Sequence, residues 1–134
     1  MVNYEQDYRW GEEQEKKVYP IIKDTFEGID NLIKGNRFST YDFWTEDTDF
    51  ELKSRKNKYK AYPTTMITRN KITDTKKEQL ILLFNFTDGL YFIQYDEELF
   101  SKFTVTNFSR ADRQDDEKAH VYIPIEHLEL IKKW

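Results

Sequence analysis

The chain has 134 residues, enough for one domain that closes a single core without staples. It has no cysteine, which excludes a disulfide framework and thiolate metal sites. No run approaches the roughly 20 apolar residues of a membrane span. The net charge of −4 argues against a nucleic-acid partner only until the charges are placed along the chain.

The first 17 residues, MVNYEQDYRWGEEQEKK, are acidic and polar where a secretory signal is basic and then apolar, so an intracellular, cytoplasmic location is expected. Val18, Ile21, Ile22, Phe26, Ile29, Leu32 and Ile33 recur at three- and four-residue spacing. They predict an amphipathic helix over about 12–33, kinked or restarted at Pro20 and ended by Gly35-Asn36. FSTYDFWT (38–45) and TDFELKSR (48–55) alternate apolar and polar residues and read as a hairpin. Pro63 with Thr64 opens a short helix, against the preference of the β-branched Thr64, Thr65, Ile67, Thr68 and Ile72. LILLFNF (80–86) and LYFIQY (90–95) flank Asp88-Gly89, a hairpin signal. SRADRQDDEK (109–118) reads as a polar loop, HVYIPI (120–125) as the last strand, and a short helix through Leu128 and Ile131 closes the chain. This order predicts a single α/β domain over residues 1–134, with a mixed β-sheet flanked by helices.

Charge is segregated. Residues 53–77 carry nine basic residues and one acid, net +8, while the rest of the chain is net −12. A local basic surface on an acidic body is what a phosphate backbone feels. The plainer reading is a solvated, Lys-rich connection. What counts against it is the acidic cluster directly before the run. Strand residues two apart share a face, so Asp49, Glu51 and Lys53 point one way, and Phe50 and Leu52 point into the core. A loop centred on Glu46-Asp47 puts Asp42 opposite Glu51, with Cβ atoms about 5 Å apart. Like charges so placed destabilise a sheet, and a divalent cation between them reverses the sign. Carboxylates, a main-chain carbonyl and waters make the oxygen-rich site that Mg²⁺ prefers. Lys53, one side chain further along, can stabilise charge on a phosphate or position an attacking water. The plainer alternative is that the three acids solvate the outer face of a two-stranded ribbon. Helix phase places Glu15 on the stripe that packs on the sheet, where an acid needs a partner; a frayed surface residue is the alternative.

Asp42 followed by Glu51-Leu52-Lys53 resembles the PD-(D/E)xK nuclease superfamily, which includes restriction enzymes, archaeal Holliday-junction resolvases and phage nucleases, and the run 41–71 is similar to short nucleases of phages and large DNA viruses. The resemblance covers about residues 11–95 and implies a restriction-endonuclease-like core. It implies one or two Mg²⁺ ions (Mn²⁺ able to substitute) held by Asp42, Glu51, the Leu52 carbonyl and Glu15, with Lys53 completing the catalytic set. Gly11, four residues before Glu15, looks like the helix entry of the resolvases. No Pro precedes Asp42, where Tyr41 stands instead. Asp49 also precedes Glu51 closely, about 7 Å along the strand, and competes with Asp42 for the ligand role.

Beyond the cluster, Lys56, Lys58 and Lys60 interleave with Tyr59 and Tyr62, cations for phosphates beside rings that can stack on bases. Arg55, Thr64, Thr65, Arg69 and Lys71 join them as expected nucleic-acid contacts; for Tyr59 and Tyr62, packing under a loop is the alternative. His120 and His127 read as ordinary residues. The leading expectation is a Mg²⁺-dependent DNA endonuclease on branched or partly single-stranded DNA. Its rivals are a catalytically inactive nuclease-like fold that binds nucleic acid or protein, and an unrelated α/β interaction module. A symmetric dimer through strand 80–86 or 90–95 would supply two sites for two-stranded incision, and a monomeric nicking enzyme is equally consistent.

Overall fold

Val18 and Ile22, four residues apart and fully buried, turn one stripe of helix α1 (Tyr4–Thr25) into the core in the computed structural model, which describes residues 4–26, 31–109 and 117–134. The helix runs through Pro20 without a break. Pro20 is on the exposed side, where the carbonyl that loses its donor faces solvent rather than the core. The helix therefore starts earlier and stops earlier than the 12–33 expectation. Ile29 lies outside the described residues, and Ile33 opens a strand. Leu32 kept the helical phase by coincidence: it enters the same core cluster as Val18 and Ile22, but from another element.

The strands in chain order are β1 (Ile33–Lys34), β2 (Phe43–Trp44), β3 (Thr48–Ser54), β4 (Thr64–Thr68), β5 (Gln79–Phe86), β6 (Gly89–Gln94), β7 (Thr104–Ser109), β8 (Glu117–Pro124) and β9 (Glu129–Lys133). A six-stranded sheet has the order β1-β2-β3-β5-β6-β9, and a three-stranded sheet the order β4-β8-β7. Among the described residues only β3 and β5 run parallel; the other pairings are antiparallel. A parallel pair needs a long crossover. Here the crossover is residues 55–78, so most of the basic run is the connection that crosses the sheet. It holds a 3-10 turn (Tyr59–Ala61), β4 and helix α2 (Arg69–Thr73).

Alternation divides the core into two. Phe43, Phe50, Leu52, Ile81, Leu83 and Leu90 pack with Val18 and Ile22 beneath α1. Leu80, Leu82, Phe84, Tyr91 and Ile93 pack with Ile67, Val121 and Ile123 of the small sheet. The large sheet is thus mixed, with α1 on one face and the small sheet on the other. It is an α/β core with the mixed sheet that the sequence predicts. No helix among the described residues is long and apolar enough to cross a membrane.

Several expected elements change type. After Pro63 the β-branched run becomes β4, paired with β8, and the helix waits until Arg69. Of the 109–118 loop, residues 110–116 lie outside the described residues; its ends close β7 and open β8. HVYIPI is not the last strand. The closing segment is a 3-10 turn (Ile125–His127) and β9, paired with β6. Leu128 and Ile131, three apart, suggested a helix, yet they join opposite core clusters, as extended backbone requires. A four-residue helix α3 (Glu97–Phe100), capped by the Asp96 carboxylate, follows β6. In the β5–β6 hairpin, Gly89 pairs with Phe86, so the turn is Thr87-Asp88. Strands 80–86 and 90–95 fall in the sheet interior, as β5 and β6, and the core consumes them; neither offers the dimer interface considered for them.

Candidate active site

The β2–β3 ladder pairs Phe43 with Phe50 and Trp44 with Asp49, and Thr45 N–H donates to the Thr48 carbonyl. The ladder ends at Phe43, and Asp42 also falls on Phe50, so it reaches β3 by its own bonds rather than as the next regular pair. Beyond Phe43 the side chain takes over from the backbone: Asp42 Oδ2 accepts the Leu52 N–H at 2.8 Å, while Asp42 N–H donates to the Phe50 carbonyl at 3.1 Å. Gly35 fixes the approach to Asp42. Its N–H donates to the Asp42 carbonyl at 2.8 Å, and a Cβ there would lie 2.8 Å from the Tyr41 carbonyl oxygen.

Glu51 is 4% exposed. Lys53 Nζ lies 3.3 Å from its Oε2, and Lys71 Nζ 3.6 Å from its Oε1. Oε1 is buried and receives no hydrogen bond. Burial, and then the neighbouring Asp42 carboxylate, push Glu51 up to about 7 against the pull of both lysines. Asp42 is also raised, by burial, with the Leu52 N–H and the two ammonium groups opposing. An oxygen buried beside a second acid, with an ammonium group at 3.6 Å but no hydrogen bond, is not fully satisfied.

Lys71 was expected at a phosphate. It comes instead from α2 into this cluster, where Nζ also donates to the Thr40 carbonyl and lies 5.3 Å from the centre of the Tyr41 ring. The Tyr41 hydroxyl donates to the Lys71 carbonyl at 2.7 Å, and burial pushes that phenol up to about 12. Nothing in the Glu-Leu-Lys tripeptide announces a second lysine 20 positions downstream. Only the crossover brings it back.

Asp49, the competing acid, is already engaged. Thr75 Oγ1 donates to its Oδ2 at 2.7 Å, and Lys77 Nζ stands 3.9 Å from its Oδ1. Glu15 belongs to α1, on the opposite face of the sheet from Glu51. It is half-buried and 3.9 Å from Lys34 Nζ, and burial, then Asp42, push it up to about 7. It lines a cleft of about 440 Å³ with Trp10, Gly11, Leu52, Ser54 and Lys56. The structure thus brings Glu15 within the field of Asp42, but no three metal-ligating side chains converge among the described residues. Gly11 sits inside α1 rather than at a helix entry, and a Cβ on it would meet nothing within 4 Å.

The expected nucleic-acid residues divide. Lys56, Lys58, Lys60 and Arg69 are exposed, and Lys56 Nζ lies 4.7 Å from the centre of the Trp10 ring. Tyr62 is 63% exposed. Arg55 is partly buried, donates to the Met66 carbonyl at 2.6 Å, and ties β3 to β4; burial lowers its pKa. Thr64 is half-exposed, but Thr65 is buried within β4, which withdraws its hydroxyl from a passing backbone.

A family described as "Phage putative PDDEXK endonuclease" matches residues 36–131. The chain belongs to this family. No curated protein and no solved structure matches it. The matched span contains Asp42, Glu51, Lys53 and Lys71, and leaves Glu15 and the rest of α1 outside. The donors offered by the nuclease are all oxygens, the set a hard cation such as Mg²⁺ takes.

Proposed function

We propose that this nuclease hydrolyses DNA phosphodiester bonds with a divalent cation, Mg²⁺ or Mn²⁺ in its place, held by Asp42, Glu51 and the Leu52 carbonyl. The observation that carries the proposal is the buried Glu51 carboxylate, set beside Asp42 with Oε1 lacking a donor. Leu52 suits the third position because the N–H and C=O of one residue leave a strand on the same side, and its N–H already meets Asp42. Glu15 fits an outer role, at the rim of the cleft that Leu52 shares. The cation, when bound, supplies Lewis-acid stabilisation of the phosphate and acidifies a water.

The chain's own groups do the rest. The Leu52 N–H fixes the orientation of the Asp42 carboxylate. Lys53 holds a positive charge where the reacting phosphate gains negative charge. The exposed Lys56, Lys58, Lys60 and Arg69 supply salt-sensitive affinity for the backbone. The exposed Tyr62 ring beside these cations suits branched or partly single-stranded DNA, and on this reading the reaction takes place in the cytoplasm of the host cell.

The test is incubation with linear, nicked, single-stranded and four-way-junction DNA, and with RNA, with and without Mg²⁺. We expect cation-dependent cleavage of DNA, lost in Glu51→Gln. DNA binding without cleavage under any cation points to the inactive binding module instead. Two-stranded incision calls for two copies per branch. Light scattering of the free protein and its DNA complex decides that point, a monomer in both ending the dimer.

A further inference from the structure

Two residues beyond Lys53, on the same face of β3 and about 7 Å along it, Arg55 opens a second cavity. This cavity, of about 390 Å³, lies between the far ends of β3 and β5 and the small sheet. Tyr59, Tyr62, Met66, Phe86 and Tyr122 are among its walls. Tyr59 is a fixed wall: it stacks on Tyr91 at 4.0 Å, meets Phe86 at 5.7 Å, and its hydroxyl donates to the Ile125 carbonyl at 2.7 Å. Tyr62, 63% exposed, stands at the mouth. Arg55 donates to the Met66 carbonyl and keeps further donors of its planar fork.

The shape and chemistry call for a flat apolar ring with hydrogen-bonding edges. A charge argument narrows it further: Lys58 and Lys60, exposed on either side of Tyr59, would hold the backbone to which such a ring is attached. We propose that this cavity takes an unpaired nucleobase of the substrate strand, next to the phosphate that lies at Lys53. The inference rests on the DNA-nuclease reading above and extends it to the source of substrate preference. A paired base must leave its stack to enter, whereas a base at a branch, bulge or single-stranded end is already free. The cavity thereby turns a sequence-tolerant nuclease into one that favours irregular DNA.

The experiment uses the full chain without divalent cation, so that nothing is cut. A 2-aminopurine is placed either in a one-base bulge or at the same position paired within a duplex. We expect the bulged base to lose fluorescence on binding, as stacking requires, and bulged DNA to bind about fivefold or more tighter than duplex. Tyr62→Ala and Tyr122→Ala should bring that ratio close to one, and Tyr62→Phe should restore it, with thermal melts showing that each variant folds. Equal affinity for the two DNAs with unchanged fluorescence, while cation-dependent cleavage of duplex persists, overturns the cavity and leaves the nuclease standing. A preference undiminished in both alanine variants also overturns it. If no DNA is bound or cut, both readings fall together.

Discussion

Asp49 and Glu51 share one face of β3 and are almost equally buried, 6% and 4% exposed, yet they meet different surroundings. Asp49 receives the Thr75 hydroxyl and the Lys77 ammonium, a set that satisfies a carboxylate for folding alone. Glu51 receives two ammonium groups but also a second acid, and one of its oxygens accepts no hydrogen bond. Burial does not separate a structural acid from a functional one, then. Its partners do, and on the function proposed above an acid kept short of hydrogen bonds beside another acid is where stability is given up for chemistry.

The largest effect that can break this contrast is in activity. Glu51→Gln should cost cleavage roughly a thousandfold while the protein stays folded. Asp49→Ala should leave cleavage within a few-fold but cost about 1–3 kcal/mol of stability, because the Thr75 hydroxyl loses its acceptor. Cleavage rates and urea unfolding of both variants check it. If Asp49→Ala abolishes cation binding and Glu51→Gln does not, the two acids have been assigned the wrong way round.

Lys53→Ala comes next, at about 10²–10³ in rate, with cation and DNA binding largely retained, since affinity is spread over the exposed cations of residues 56–69. Parallel loss of binding and rate would reduce Lys53 to one more backbone contact. A smaller effect is expected at Lys71. Its ammonium lies 3.6 Å from the oxygen that a cation would use. Two unit charges about 4 Å apart repel by about 1 kcal/mol even in bulk water, and the cation carries two charges in a buried site, so Lys71→Met should tighten Mn²⁺ binding by about fivefold or more by calorimetry. Unchanged affinity would mean that Lys71 leaves Glu51 once the cation arrives.

How much of this could be read beforehand follows from range. The β2–β3 register depends on a short loop and on alternation, both local, so the pairing of Phe43 with Phe50 and the nearness of Asp42 to Glu51 were legible, as was the mixed sheet. The Asp49 partners and Lys71 were not, because Thr75, Lys77 and Lys71 return to the site only through the crossover, whose path depends on β4 pairing with β8 some 60 residues away. The same distance hid the type of the last element. Leu128 and Ile131 look helical until β6 is known to need a partner at its outer edge.

The smallest effect concerns stability against pH, and it reads Glu51 without any substrate. Glu51 and Glu15 are both pushed up to about 7 from the ordinary glutamate value of 4.5, chiefly by burial. Between those values the native protein holds protons that the unfolded chain has released, so stability falls as pH rises. Their contribution is complete below about 4.5 and lost as pH passes through about 7. Asp47, held low by the Thr45 and Thr48 hydroxyls, acts in the opposite sense, but only below the ordinary aspartate range, outside this window. The cation-free protein should therefore have a higher urea midpoint at pH 5 than at pH 8. Mg²⁺ should raise the midpoint far more at pH 8, where both acids are ionised beside Asp42, than at pH 5, where protons already occupy them. Glu51→Gln should flatten part of the pH dependence. A midpoint indifferent to pH, or Mg²⁺ stabilising equally at both values, would mean that the acids at the Asp42–Glu51 edge are already fully satisfied.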